Sequence, residues 1–420
     1  MIKEISNECI KCGKCIQVCT IYNINRDETT SPRGFLDLLG AYNDGNLALD
    51  KNLKTIFESC FLCTNCVDTC PKSIKTDAAI ESVRVDIAKK YGIAWYKKMA
   101  FWFLSHRKVL DICARMGYVF QSCGFKIKKE NFSNSMKPRF KMPLVKKERL
   151  LPTASKKSFL NSHEEFIDNG GEKTIGLFIG CMGNYAYTNI GESILKICES
   201  LKINLDLMKK QVCCGAAMYF TGDNKTTKKL AKKNIVYFEE MLKKVDAIII
   251  PEATCSGMIK VDYAHLFYDE PSWQERAIKL QDKIFLASEY FYKHTNLKEI
   301  LAKKEKLNLK ITYHDPCHAK KMQGVFKEPR ELLSNNFTLL EMENPDMCCG
   351  FGGVTIQTNN YHLSKTAGLK KAPMIQKTKA DFVSAECSAC RMQLNNSLNL
   401  ISSDIRCVNP VELIAKALTF

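Results

Sequence analysis

One arrangement of cysteines occurs twice in this chain, and the repeat constrains the fold more than any other feature. Cys181 to Cys213 spans 32 positions and Cys317 to Cys348 spans 31, while Cys214 to Cys255 and Cys349 to Cys390 each span 41. In both copies an adjacent pair is followed by glycine, as Cys213-Cys214-Gly215 and Cys348-Cys349-Gly350, a pattern that packing alone does not explain. Two copies this far apart are tandem domains; a solenoid needs shorter and more numerous repeats. The register sets Glu252 where the second copy has Cys387. The first copy therefore offers Cys181, Cys213, Cys214 and Cys255 beside a carboxylate, and the second offers five thiols, Cys317, Cys348, Cys349, Cys387 and Cys390.

Apolar runs place these thiols on a scaffold. Residues 174–180 run as a buried strand onto Cys181, 247–251 end before Glu252, 309–313 end near Cys317, and 381–385 end before Cys387. Helical patterns at 190–201 and 228–242 lie between them. Alternating strand and helix predicts an open parallel α/β sheet in each module, and such sheets bind ligands beyond the carboxyl ends of their strands. Gly215 and Gly350 let the backbone turn tightly, so that their N–H groups can reach sulfur.

Five convergent thiols are one more than a tetrahedral zinc or a cubane needs, which favours an unusual iron–sulfur centre. A structural zinc on Cys317, His318, Cys387 and Cys390 is the alternative. His314 and His318 bracket Cys317 and read as hydrogen-bonding partners of the ligands rather than as ligands. Glu252 is open to three readings: a ligand, a proton acceptor or a polar loop residue; four cysteine ligands with Glu252 alongside is the one preferred. Cys113, Cys123, Cys198 and Cys407 have no partner spacing and read as buried apolar residues.

The first 90 residues carry a second signal. Cys9, Cys12, Cys15 and Cys19 form one C-x2-C-x2-C-x3-C run, and Cys60, Cys63, Cys66 and Cys70 form another, closed by Pro71. The run resembles that of bacterial two-cluster ferredoxins, where three cysteines wrap one face of a cubane and the fourth ligates the other cluster. That likeness implies Cys9, Cys12, Cys15 and Cys70 around one cluster, and Cys60, Cys63, Cys66 and Cys19 around the other. Zinc would favour two C-x-x-C pairs instead. Thr20 departs from the pattern where a proline usually follows the fourth cysteine. Residues 31 to about 41, opening Ser31-Pro32-Arg33-Gly34, read as a helix in a mainly helical domain.

The 21 cysteines are odd in number and clustered, so the chain reads as belonging to a reducing compartment, with no signal peptide at Met1-Ile2-Lys3-Glu4. No apolar run approaches the ~20 residues of a membrane span. The formal charge is +17, but Lys126 to Lys157 alone carries eleven basic and two acidic residues. That segment, within residues 126–170 and containing Pro138, Pro143 and Pro152, reads as an irregular, solvated basic connector; no nucleic-acid motif accompanies the charge. Residues 80–125 are helical with an aromatic group at Trp95, Tyr96, Phe101, Trp102 and Phe103, interrupted at His106. They read as a helix pair packed on neighbouring domains or a partner, or alternatively as a helix on a membrane surface with Lys97, Lys98, Arg107 and Lys108 near head groups. The expected layout is a ferredoxin-type domain at 1–90, helices and linker at 91–170, and cysteine-rich modules at 171–304 and 305–420. No dinucleotide fingerprint, Walker loop or catalytic triad signature is present, so oxidation of an organic substrate requires a flavin held elsewhere.

With both cysteine patterns in hand, the whole chain resembles the iron–sulfur subunit of bacterial glycolate oxidase, and more loosely those of lactate and glycerol-3-phosphate dehydrogenases and of heterodisulfide reductase. Beyond the cysteines, the likeness rests on Ser31-Pro32-Arg33-Gly34, on Cys60-Phe61-Leu62-Cys63-Thr64-Asn65-Cys66 and on Cys349-Gly350-Phe351-Gly352-Gly353. It implies two 4Fe-4S clusters and a noncubane 4Fe-4S centre on Cys317, Cys348, Cys349, Cys387 and Cys390. A further centre in the first module stays open, because Glu252 replaces a cysteine. It also implies an FAD-binding glycolate or lactate dehydrogenase partner, a quinone or other membrane acceptor, and a cytoplasmic place at the inner face of the membrane.

Overall fold

The computed structural model describes residues 2–142 and 145–420, so Pro143 of the connector lies outside the described residues. Its cysteine-rich part is built on two parallel sheets of one plan. In the first, β1 (Thr174–Leu177) lies between β2 (Asn204–Asp206) and β3 (Ala247–Ile250), and β3 pairs onward with β4 (Ile284–Leu286). In the second, β5 (Lys310–Tyr313) lies between β6 (Thr338–Leu339) and β7 (Phe382–Ser384), and β7 pairs with β8 (Arg406–Val408). Both sheets run second, first, third, fourth strand; the first adds a short antiparallel edge, Phe166–Ile167. The expected fold class is observed: a helical ferredoxin-type region followed by duplicated α/β units. The continuous apolar character of Ala247–Ile250, buried throughout, is what a parallel strand covered on both faces requires.

Strand order reverses between the first and third strands of each sheet, and the cysteines follow the carboxyl ends of those strands, where such a crevice forms. The two modules share one core, in which Ile175, Leu205 and Ile249 pack with Ile311, Tyr313 and Val408.

The N-terminal region packs across both. Its helix Pro32–Asn43 starts as the sequence dictates: the Ser31 side chain accepts from the Gly34 N–H, and Pro32 fills the first turn. Gly34 is forced by close approach, because a Cβ there would meet the Glu28 carbonyl oxygen at 2.0 Å. Helix α1 (Thr76–Tyr91) carries Arg84, only 2% exposed, which donates to the carbonyls of Cys60 at 2.7 Å and of Phe220 at 2.8 Å. One buried guanidinium thus ties the second cysteine run to the first module.

Where the sequence predicts a helix pair, the chain continues from α1 into two more helices, α2 (Trp95–Ser105) and α3 (Arg107–Gly124), broken at His106. Phe101 is buried, and buried Lys97 reaches Thr355 Oγ1 of the second module at 3.2 Å. Trp95, Trp102, Ile112, Met116, Val119 and Phe120 face outward. The basic connector departs from expectation, for it is a structured strap. Phe125–Lys128 pairs antiparallel with Ser135–Pro138, which pairs with Leu151–Pro152. Phe132 sets its edge on Phe382 at 5.2 Å, and Glu130 pairs with Arg406 at 2.7 Å. Its anchors are isolated residues among lysines, which leaves no periodicity to read. Cys198 and Cys407 are buried as expected, whereas Cys113 is half-buried and Cys123 is exposed, because α3 turns much of its length to solvent. Among the described residues no helix is long and apolar enough to cross a membrane.

Candidate metal centres

The two N-terminal runs interleave. One hollow is lined by Cys9, Cys12, Cys15 and Cys70, together with Cys66, which it shares with the next. A second is lined by Cys19, Cys60, Cys63 and Cys66. The fourth cysteine of each run has therefore crossed to the other's hollow. Burial pushes the Cys15 and Cys60 thiols up to about 11, so these groups resist ionisation until a cation faces them. That is the donor chemistry an iron cluster needs. Thr20, the departure from the ferredoxin pattern, places its hydroxyl 3.5 Å from Cys63 Sγ.

The two modules, expected as separate sites, open on one cavity of about 290 Å³. Cys181, Cys213, Cys214 and Cys255 line it from one side, and Cys317, Cys348, Cys349, Cys387 and Cys390 from the other, with Phe61 and Leu62 of the N-terminal run. Spacing along the chain carries no information on this, because the convergence comes from two sheets packed with their carboxyl ends facing.

Each pair is shaped alike. Gly215 and Gly350 adopt φ of 89° and 90°, and their N–H groups donate to Cys213 Sγ at 3.5 Å and to Cys348 Sγ at 3.4 Å. A Cβ on Gly350 would meet Ala367 Cβ at 2.8 Å, so space and backbone both demand glycine. In the first module Cys181 contacts Cys213, and Cys214 Sγ lies 3.3 Å from Cys255 Sγ. In the second, Cys349 contacts Cys348 and Cys390, whose thiols donate to it and hold it well below the usual thiol range. The Cys348 thiol also touches Cys63 of the N-terminal region. The dicluster hollow and the second module therefore meet thiol to thiol.

Glu252 lines the same cavity as the thiols, with its carboxylate already engaged. Its carboxylate accepts from the Ser388 N–H at 2.7 Å and from the Ser388 hydroxyl, which begins the helix Ser388–Leu400 after Cys387. Burial raises it to about 7. Thr254 Oγ1, two residues on, lies 3.3 Å from Cys387 Sγ. His318 Nδ1 lies 3.4 Å from Cys317 Sγ. His314, 1% exposed, bonds the Pro345 carbonyl through Nδ1 at 3.0 Å. A His314 ring nitrogen and the Sγ atoms of Cys349 and Cys390 all lie within 4.8 Å of one another. Lys371, fully buried and lowered to about 8 by desolvation, and Lys321, bonded to Asn65, add positive charge on this side. Sequence reasoning has no signal for Thr254, Ser388 or the lysines; Thr20 alone stands out, as a departure from pattern.

These features define an iron–sulfur electron-transfer protein of the cysteine-rich oxidoreductase type. Residues 5–74 match the 4Fe-4S dicluster domain, which implies two 4Fe-4S clusters, and residues 175–260 and 311–395 each match the cysteine-rich domain. Over 99% of its length the chain is 26% identical to the "Probable glycolate oxidase iron-sulfur subunit" of Bacillus subtilis, covering 97% of that protein. It is 26% identical to a fumarate reductase (CoM/CoB) subunit of Methanothermobacter marburgensis over 97% of this chain, covering 72% of that protein. Against "Lactate utilization protein A" of Bacillus licheniformis identity is 30% over 57% of this chain and 98% of that protein. The chain belongs to the cysteine-rich-domain iron–sulfur family that includes lactate utilization protein A.

Proposed function

We propose that this chain is the iron–sulfur subunit of a 2-hydroxy-acid dehydrogenase, with glycolate as the first assignment. It would take electrons from an FAD-binding partner and deliver them to a quinone-type acceptor at the membrane. Cys9, Cys12, Cys15 and Cys70 hold one 4Fe-4S cluster, and Cys19, Cys60, Cys63 and Cys66 the other. Cys317, Cys348, Cys349, Cys387 and Cys390 hold a noncubane centre, and Cys181, Cys213, Cys214 and Cys255 offer a fourth site. When bound, such clusters supply one-electron carriage at potentials set by charge, burial and hydrogen bonds to sulfur.

The observation that carries this reading is the contact between Cys63 and Cys348, which leaves no protein gap between the dicluster region and the second module. The chain's own residues bury Cys348, Cys349, Cys387 and Cys390, donate to ligand sulfurs from Gly215, Gly350 and Leu62, and counter their charge through Lys321 and Lys371. Glycolate is supported by the relative matched over nearly its full length, and lactate, the second reading, by the higher identity over the shorter one. The test is anaerobic purification with iron, sulfide and zinc analysis and electron paramagnetic resonance, then reduction of the centres by the co-purifying flavoprotein with glycolate or with D- or L-lactate. Iron with cubane signals and reduction by glycolate is expected. Reduction by lactate alone moves the assignment to the second reading, and zinc without a redox signal overturns both.

A further inference from the structure

The ring of His314 is pinned in an orientation that the hydrogen-bonding reading of the sequence does not explain. Its Nδ1 lies 3.0 Å from the Pro345 carbonyl oxygen. A carbonyl only accepts, so Nδ1 carries the proton and Nε2 of the neutral ring presents a lone pair. That Nε2 is buried and has no hydrogen-bond partner among the described residues. An unpaired acceptor inside a protein is costly and calls for an explanation. His314 belongs to the one group of metal-capable side chains that converges closely among the described residues, a ring nitrogen lying within 4.8 Å of the Sγ atoms of Cys349 and Cys390. A histidine with one ring nitrogen fixed on a backbone carbonyl and the other bare, its ring set beside cysteine thiols, has the arrangement of a metal ligand.

We propose that His314 Nε2 is a nitrogen ligand to an iron of the second-module centre, added to the five cysteines. This rests on the iron–sulfur reading of that module. The first module has Phe178 where the second has His314, counting back from Cys181 and Cys317 to the ends of β1 and β5, and Phe178 offers no lone pair. Nitrogen ligation would therefore be confined to the second centre. A neutral imidazole on iron adds no negative charge where a further thiolate would, which keeps the potential of the centre higher and suits this one to receive electrons from the cluster beside Cys63.

The test is pulsed electron paramagnetic resonance on the full-length protein, prepared with natural-abundance and with 15N-labelled histidine. Oxidised and one-electron-reduced states are both recorded, since one of any two states differing by a single electron has half-integer spin. The signal absent from Cys349→Ser identifies the second-module centre. A directly bound histidine nitrogen coupled to that signal, changed by the label and lost in His314→Gln, is the expected result. If His314→Gln fails to fold, the labelled wild-type spectrum decides, with His318→Gln as the control for the neighbouring ring. Iron at the centre with no histidine coupling, or a coupling lost only in His318→Gln, overturns the proposal and leaves the electron-carrier reading standing. Zinc in place of iron overturns both.

Discussion

The two cysteine-rich modules share a strand order, a glycine at nearly the same φ and one cavity, yet their sites have diverged. The second gathers five thiols, a bare histidine nitrogen and two lysines, and touches the dicluster region through Cys348. In the first, the position matching Cys387 is Glu252, and its carboxylate is engaged by Ser388 of the other module. The lesson is that one position of a duplicated ligand set serves as a brace: where the second module has a thiol, the first has a carboxylate that holds the loop carrying two thiols of its neighbour.

The largest effect that could break this comparison is on cluster occupancy. Cys349→Ser should abolish the oxidised-state signal of the second centre and electron delivery beyond the dicluster domain, whereas Cys214→Ser should leave that signal in place. Loss of the signal in both variants, followed by resonance and iron content, would mean that the thiols around the shared cavity form a single centre.

A contrast in stability follows from one helix position. Glu412 and Glu289 each occupy the third residue of the helix after the last strand of their sheet. Glu412 meets Arg391 at 2.7 Å with both side chains 1% exposed, while Glu289 meets the half-exposed Lys293 at 3.0 Å. Arg391→Met strands a buried carboxylate and should cost about 3–5 kcal/mol; Lys293→Ala should cost under about 1 kcal/mol. Denaturant melts of both variants measure the difference, and equal losses would remove it.

Lys97 seats α2 on the second module and gives that contact a pH dependence. Burial lowers its amine from 10.5 to about 8. Between those values the unfolded chain binds the extra proton, so stability should rise with pH across about 8 to 10.5, by at most about 3 kcal/mol. Lys97→Met should flatten that rise and stabilise the protein near pH 7; an unchanged slope would assign the rise to other groups.

How much of this is legible in the sequence follows from the range of each interaction. Ligand spacing within Cys9 to Cys19 or Cys60 to Cys70 is local, set by the size of a cluster, and so it can be read directly. Strand runs such as Ala247–Ile250 are legible because burial on both faces leaves an unbroken apolar word. The shared cavity is not, and the bond from Glu252 to Ser388 and the reach of Arg84 to Phe220 each join residues 136 apart, which no local pattern encodes. The strap is hidden by its lysines, which face solvent around a few anchors such as Phe132 and Glu130. His314 reads as a ligand's neighbour because the sequence does not show which ring nitrogen the Pro345 carbonyl occupies.

The brace itself makes the next prediction. Glu252→Ala leaves the buried Ser388 N–H unpaired at the start of its helix and should cost about 1–3 kcal/mol, with metal in the first module unchanged. If Glu252 were instead a ligand, the same variant would lose first-module metal at little cost in stability. Global melts and metal content together separate the two roles.

Thr254 gives the smallest and most specific effect. Its hydroxyl lies 3.3 Å from Cys387 Sγ across the module boundary, and a thiolate ligand there would accept its proton. A hydrogen bond to a ligand sulfur favours the reduced, more negative state of a cluster. Thr254→Val keeps the shape and removes the donor, so the midpoint potential of the second centre should fall by the equivalent of about 1 kcal/mol, while the dicluster potentials hold. A redox titration followed at the second-centre signal reads this directly. A shift in the dicluster signals instead would show that the hydroxyl acts through the fold, and that the first module braces its partner without tuning it.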